Sequence, residues 1–308
     1  MGTRWIGLDI GGSAVKTGAI QADGSSIAER TVGVPPGTST GAMFDAMASA
    51  VVELAEGRLP PRIGVGVPGL LDRERGCVLV SPNLPWLAGA DVRGELARRL
   101  GLAPENVRVE NDANVAALGE LWLGAARGER HVLVVTLGTG IGGGVVLDGE
   151  LFVGAGLAGE IGHVTIDPAG PRCGCGARGC LETYASASAA IRRARERALP
   201  QEAPGDLELL TERARRGPGP ERALLEEIGA DLGRGLAAVV SLLDVRSFVV
   251  GGGFSAALDT MEDGVRRGLL ERAYGERVAG IRLARATLGA RAGWIGAAWL
   301  SGRPNPPS

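Results

Sequence analysis

The chain has 308 residues, 45% of them hydrophobic, and a formal net charge of −2. This composition supplies ample material for packed cores and excludes a disordered chain, while the length favours two domains or one large one. The near-neutral charge gives no electrostatic case for nucleic acid or an anionic membrane, and no apolar run approaches the roughly 20 residues that span a bilayer.

Residues 4–10 read as a strand, Gly11 and Gly12 as a turn, and 13–20 as a returning strand. Asp9 interrupts the first apolar run and turn glycines follow at once, so the N-terminus does not read as a signal peptide. Without Cβ atoms in the way, the backbone N–H groups of Gly11, Gly12 and Ser13 can approach a polyphosphate closely. Asp9 at the strand end suits the water shell of a magnesium ion, which typically takes one or two carboxylates. Lys16 is the one lysine among 33 basic residues. A bias toward arginine accounts for that scarcity, and its place after the turn sets it with the phosphate-side residues. The Lys16-Thr17 pair is not the end of a P-loop, because Val15 stands where glycine is required.

Met43, Met47, Val51 and Leu54 recur at helical spacing, with Gly57 as the stop. Ser81-Pro82-Asn83-Leu84-Pro85-Trp86 is a polar, turn-prone loop with a packed tryptophan. A short strand, 107–109, leads through Glu110-Asn111-Asp112-Ala113-Asn114 into a helix over 115–124. Asp112 there has two readings. It is either an N-cap or a base that accepts a proton from a substrate hydroxyl attacking phosphorus.

The opening pattern recurs as a strand over 131–137, a turn at Gly138-Thr139-Gly140 and a strand over 141–147. Residues 9–13 lie over 136–140, which predicts a duplicated strand–turn–strand unit. The run 138–143 satisfies G-x-G-x-x-G, but a strand follows it and not a helix, so a nicotinamide-nucleotide site is excluded.

His163, Cys173, Cys175 and Cys180 place three of four cysteines and one of two histidines within 18 residues. The set suits a closed tetrahedral zinc site, structural because no coordination position is left open. A disulfide between Cys173 and Cys175 would be strained, and Cys77 lies far upstream. Gly174, Gly176 and Gly179 permit the tight turns required. Reduced thiolates fit a cytoplasmic protein. Glu160 and Glu182 flank the knot as fixed acceptors, which suggests a ligand rich in hydroxyl groups. The hairpins at Gly11 and Gly138 lie far from the knot along the chain and are expected not to depend on it.

Leu225, Ile228, Leu232, Leu236, Val239 and Leu243 mark a long helix, and a strand over 247–250 runs into Gly251-Gly252-Gly253. A small-residue helix over 290–300 is expected to be buried through Trp294 and Trp299, with a frayed tail over 302–308. Strands alternating with helices predict an α/β protein, and the duplicated hairpin predicts two similar lobes with a cleft between them.

These motifs, in this order over nearly the whole chain, resemble the ROK family of sugar kinases and repressors. That family has the actin-like (ribonuclease H-like) two-lobed sugar kinase fold with a duplicated core. The resemblance implies a small α/β lobe over 1–114, joined by the C-terminal helix 290–301, and a large α/β lobe over 115–289 carrying the zinc site. It implies ATP-dependent phosphorylation of the 6-hydroxyl of a hexose, with Asp112 as the base. Sugar contacts would come from Asn83, Asn111, Asp112, Glu160, His163 and Glu182, with His163 also on zinc. The nucleotide side would comprise Asp9, Gly11, Gly12, Ser13, Lys16, Gly138, Thr139, Gly140, Gly252 and Gly253, with Ser13 where threonine is more usual. Cofactors implied are ATP, Mg²⁺ and a structural Zn²⁺, in a homodimer or homotetramer. Glucose is the expected hexose, with N-acetylmannosamine, N-acetylglucosamine and fructose as alternatives. Polyphosphate is disfavoured as donor because the family's polyphosphate users differ at the cysteine cluster. A sugar-responsive repressor would carry a helix-turn-helix domain before the first phosphate motif, which here begins at residue 9.

Overall fold

The computed structural model describes residues 4–35, 37–81, 84–199, 206–273 and 280–303. The chain divides into two compact units, one of Met1–Gly128, Leu151–Ala158 and Ala290–Ser308, the other of Glu129–Glu150 and Gly159–Gly289.

The first unit runs β1 (Arg4–Ile10), β2 (Ala14–Gln21), β3 (Ser26–Gly33), α1 (Thr40–Ala55), β4 (Ile63–Val67), β5 (Leu70–Asp72), β6 (Cys77–Val80), α2 (Val92–Leu100), β7 (Val107–Asn111) and α3 (Asp112–Leu123). Next come β8 (Val132–Leu137), β9 (Ile141–Leu147), β10 (Glu150–Phe152), α4 (Glu182–Ala185), α5 (Ala187–Glu196), α6 (Leu207–Arg215) and α7 (Pro220–Leu243). The chain continues through β11 (Ser247–Gly251), α8 (Leu258–Arg272) and β12 (Arg282–Arg285), and closes with α9 (Ala292–Gly302).

The two main sheets share one plan, with orders β3-β2-β1-β4-β7 and β10-β9-β8-β11-β12. In each, a glycine hairpin supplies an antiparallel pair, and parallel strands then add to the hairpin's first strand. The expected duplication is therefore a duplication of the whole sheet, not of the hairpin alone.

Period-2 alternation explains how the first sheet is covered. Ile6, Leu8, Ile10, Ile63, Val65 and Val67 are fully buried and pack with Met43, Phe44, Met47 and Val51 of α1. The intervening Gly7 and Gly64 face α9, and a Cβ on either would overlap the α9 backbone. α9 also lies backbone-to-backbone on α3, because Gly119 and Gly296 present no side chain at the crossing. That crossing is why α3 belongs to the first unit. The boundary falls after Gly128, not at the expected residue 114.

Two local expectations change. The left-handed C-cap of α1 is Glu56, at φ 47°, with Gly57 following it. Trp294 is fully buried, but Trp299 is half-buried in a stack with Trp122, 6.3 Å between ring centroids, and beneath Arg303. In the second unit, Leu133 and Val135 of β8 join Ile228, Leu232 and Leu236 of α7 and Met261 and Val265 of α8 in one core. Among the described residues, no helix is long and apolar enough to cross a membrane.

Candidate functional site

The first hairpin is built on a charge. Asp9, the penultimate residue of β1, lies opposite Lys16 on β2 and Gly66 on β4. Its carboxyl rests against Gly293 of α9, where any Cβ would overlap it. Burial pushes this carboxyl up to about 6, with the nearby Lys16 charge opposing. The turn itself is held by the Gly11 N–H donating to the Ala14 carbonyl at 3.0 Å and the Val34 N–H donating to the Ser13 carbonyl at 3.0 Å. Gly12 and Ser13 are exposed, and a Cβ on Gly12 would stand in open space. Internal packing therefore does not require glycine at position 12, whereas close approach by a ligand would.

At the β7–α3 junction the N-cap is Asn111. Its Oδ1 accepts from the N–H groups of Ala113 (2.9 Å) and Asn114 (3.3 Å), and its Nδ2 donates to the Gly69 carbonyl at 3.3 Å. Asp112 follows as the first helical residue, half-buried, accepting from the Ala113 N–H at 2.9 Å. Of the two readings of Asp112, the cap role thus goes to its neighbour.

Asp112 is not alone at this junction. Glu110 is buried and forms a two-pronged ion pair with Arg73, and it accepts from the Asn111 N–H at 2.7 Å and from Asn114 Nδ2 at 2.9 Å. Paired with Arg73, Glu110 is a brace, because both asparagines beside Asp112 hang from it. Glu110 is legible only as part of the motif. Its partner, 37 residues upstream, carries no local signal.

The second hairpin is built from backbone. Gly138 N–H donates to the Gly140 carbonyl at 2.9 Å, closing a turn that leaves Thr139 exposed and open space where a Gly138 Cβ would stand. Gly252, at φ 81°, sits on the Leu137 backbone at the end of β8, and a Cβ there would overlap it. Gly252 and exposed Gly253 therefore lie beside this hairpin, in a turn completed by Ser255 Oγ donating to the Gly252 carbonyl at 2.7 Å.

His163, Cys173, Cys175 and Cys180 converge, with one ligand atom from each lying within 4.8 Å of the others. Cys173 Sγ is 3.7 Å from His163 Nδ1, and Cys175 Sγ is 3.6 Å from Cys180 Sγ. A tetrahedron with metal–sulfur bonds of about 2.3 Å has edges of about 3.8 Å, so the donor set fits zinc in kind and spacing. Gly176 (φ 94°) and Gly179 (φ 66°) take left-handed turns between the ligands, and all four cysteines are free thiols. With Nδ1 on the sulfur side, His163 turns Nε2 toward Glu160 Oε2, 3.9 Å away.

Glu182 ties the second hairpin to the segment that follows the knot, a contact the expected independence of hairpin and knot did not include. Its Oε2 accepts from the Ile141 N–H at 2.9 Å, two residues after the last cysteine, and its carboxylate lies where a Gly140 Cβ would be. Asn83, a predicted sugar contact, lies outside the described residues.

The model of the ROK family matches residues 5–303 of this chain. The chain belongs to the ROK family. A glucokinase of Streptomyces coelicolor is 36% identical, with 98% of each chain covered. A glucokinase of Thermotoga maritima is 34% identical, with 96% of each covered. Among solved structures, a ROK family glucokinase from Streptomyces griseus in complex with glucose and AMPPNP superposes with a TM-score of 0.81. It is 36% identical, covering 96% of this chain and 98% of its own. The two sheets described above are those of the actin-like ROK fold with its duplicated core.

Proposed function

We propose that this ROK protein is a glucokinase, transferring the γ-phosphoryl of ATP to the 6-hydroxyl of glucose. The observation that carries the proposal is the β7–α3 junction, where Asn111 takes the cap and Asp112 stands as the first helical residue. Near-complete alignment with chains named glucokinase supports the choice of substrate. Asp112 acts as general base, receiving the hydroxyl proton as the oxygen attacks phosphorus. Phosphoryl transfer needs little more from side chains than this base, positioning and charge stabilisation.

In the second unit, Glu160, His163 and Glu182 would accept from or donate to sugar hydroxyls, as would Asn111 in the first. A buried charge-assisted hydrogen bond of this kind contributes on the order of 1.5–3 kcal/mol. Several together would discriminate epimers, so the cluster selects the sugar. His163, Cys173, Cys175 and Cys180 would hold a structural zinc through Nδ1 and three sulfurs, leaving Nε2 of His163 for the sugar. Asp9 would hold the water shell of magnesium, which when bound offsets phosphate charge. Gly11, Gly12, Ser13, Gly138, Thr139 and Gly140 would present N–H groups to the phosphates, with Lys16 near the first turn and Gly252 and Gly253 on the adenosine side. A cytoplasmic homodimer or homotetramer completes the proposal.

The test is ADP release with Mg·ATP across a panel of glucose, mannose, fructose, N-acetylglucosamine and N-acetylmannosamine, repeated with polyphosphate as donor. Glucose is expected to give the highest kcat/KM. Hexose-independent ADP release at the background rate would sink the kinase proposal, and preference for another sugar would reassign the substrate.

A further inference from the structure

The second hairpin is held at both ends by the segment that follows the cysteine cluster. The Gly138 carbonyl, where the turn begins, accepts from the Ala187 N–H at 2.9 Å. The Ile141 N–H, where it ends, donates to Glu182 Oε2 at 2.9 Å. Between these ties, Gly140 leaves room for the Glu182 carboxylate and for nothing larger than hydrogen. The anchor is itself rigid. Cys180 and Leu181 are fully buried, and the Leu181 side chain packs against Gly235 of α7.

A turn with two glycines in three residues loses more conformational freedom on ordering than one whose residues carry side chains. Its N–H groups can face a phosphate in a fixed array only if something else limits that freedom. A carboxylate is an odd choice beside a polyphosphate, because its charge repels the ligand. Toward the turn, its value must then lie in where its oxygen sits, not in its charge.

We propose that Glu182 is a positioning residue for the nucleotide. Its Oε2 holds the 138–141 turn in its phosphate-binding shape, and nucleotide affinity depends on it even when no sugar is present. This rests on the kinase reading above and adds a second role to a residue otherwise assigned to the sugar. The same side chain thus joins the cysteine knot to the phosphate turn.

The test is calorimetric titration of the full-length, zinc-replete protein with Mg·AMPPNP in the absence of any hexose, on wild type, Glu182→Gln, Glu182→Asp and Glu182→Ala. Thermal midpoint and zinc content establish that each variant is folded. Glutamine keeps an acceptor at the same reach without the charge, so its Kd is expected within about three-fold of wild type. Aspartate keeps the charge but is one methylene too short, so Glu182→Asp and Glu182→Ala should both weaken binding about ten-fold, equivalent to ~1.4 kcal/mol. Unchanged or tighter binding by Glu182→Asp or Glu182→Ala overturns the proposal, as does a loss in Glu182→Gln equal to that in Glu182→Ala. The wild type is the control on the underlying reading. If it binds no Mg·AMPPNP, the kinase assignment falls and takes this inference with it. Intact wild-type binding with an indifferent Glu182→Ala removes this inference alone.

Discussion

The two hairpins occupy equivalent places in two sheets of the same plan, yet they are supported in opposite ways. In the first, Asp9 faces Lys16 across the strands, and the carboxyl is wedged against Gly293. In the second, the equivalent pair is Thr136 and Gly142, with no charge, and the turn is one residue shorter. Its stiffness is borrowed from Glu182 and Ala187. Duplication has preserved the strand framework while the chemistry has divided. One copy keeps an ionisable side chain and the β7–α3 junction, and the other presents backbone and carries the cysteine cluster.

The sharpest test of that division is Asp112→Asn, in the first unit. It should lower kcat by about 10²–10⁴-fold while leaving KM for glucose within about three-fold. Turnover within about three-fold of wild type would reduce Asp112 to a helix residue and leave the first unit without its base.

Asp9→Asn tests the charged hairpin through stability. A carboxyl raised from its ordinary 3.8 to about 6 by folding binds its proton more tightly in the folded state. Stability is therefore lost as pH rises from about 4 to about 6, and it stays lower above that. The gap corresponds to ~3 kcal/mol. Without magnesium or nucleotide, the asparagine variant should exceed wild type in urea stability by up to that amount at pH 8 and match it near pH 4. Equal midpoints at pH 8 would mean the Asp9 carboxylate is well solvated.

Two alanine substitutions then compare the turns directly. Gly140→Ala must displace the end of the Glu182 side chain and break its tie to Ile141, and should cost about 1 kcal/mol of stability. Gly12→Ala meets open space, so its thermal midpoint should stay within about 2 °C of wild type while Mg·AMPPNP binding weakens. A Gly12→Ala protein that binds the nucleotide normally would show that nothing approaches that turn closely. The smallest expected effect is none at all. Cys77→Ser should retain about one zinc per chain by elemental analysis, whereas Cys175→Ser should lose it.

Much of this was legible in sequence where the signal is local. The β1 and β9 bounds, the turns and the four metal-type ligands all follow from periodicity, glycine placement and residue type over short spans. What was not legible depends on partners distant in sequence. Arg73 reaches Glu110 across 37 residues, and Glu182 reaches Ile141 across 41, with nothing in either segment to announce the pairing. The edge strands β3 and β12 were also missed. β3, with Glu29 and Arg30, and β12, with Arg282 and Arg285, lack the apolar run that marks β8, because an edge is half solvated and tolerates charge. The domain boundary moved for a related reason. Gly119 and Gly296 read as ordinary small residues until two helix backbones are seen to cross there.

The dependence of β1 and β4 on α9 also has a consequence for biosynthesis. Residues 129–289 contain every described strand and helix of the second core, whereas the sheet begun at Arg4 lacks its cover until residues 292–302 have been made. At about 5–20 residues per second, some 170 codons, or roughly 8–34 seconds, separate the end of α3 from the arrival of that helix. The segment translated first is therefore the last to be completed. Through that interval Gly7 and Gly64 expose a bare strip of sheet on the nascent chain, a surface open to chaperones on the translating ribosome.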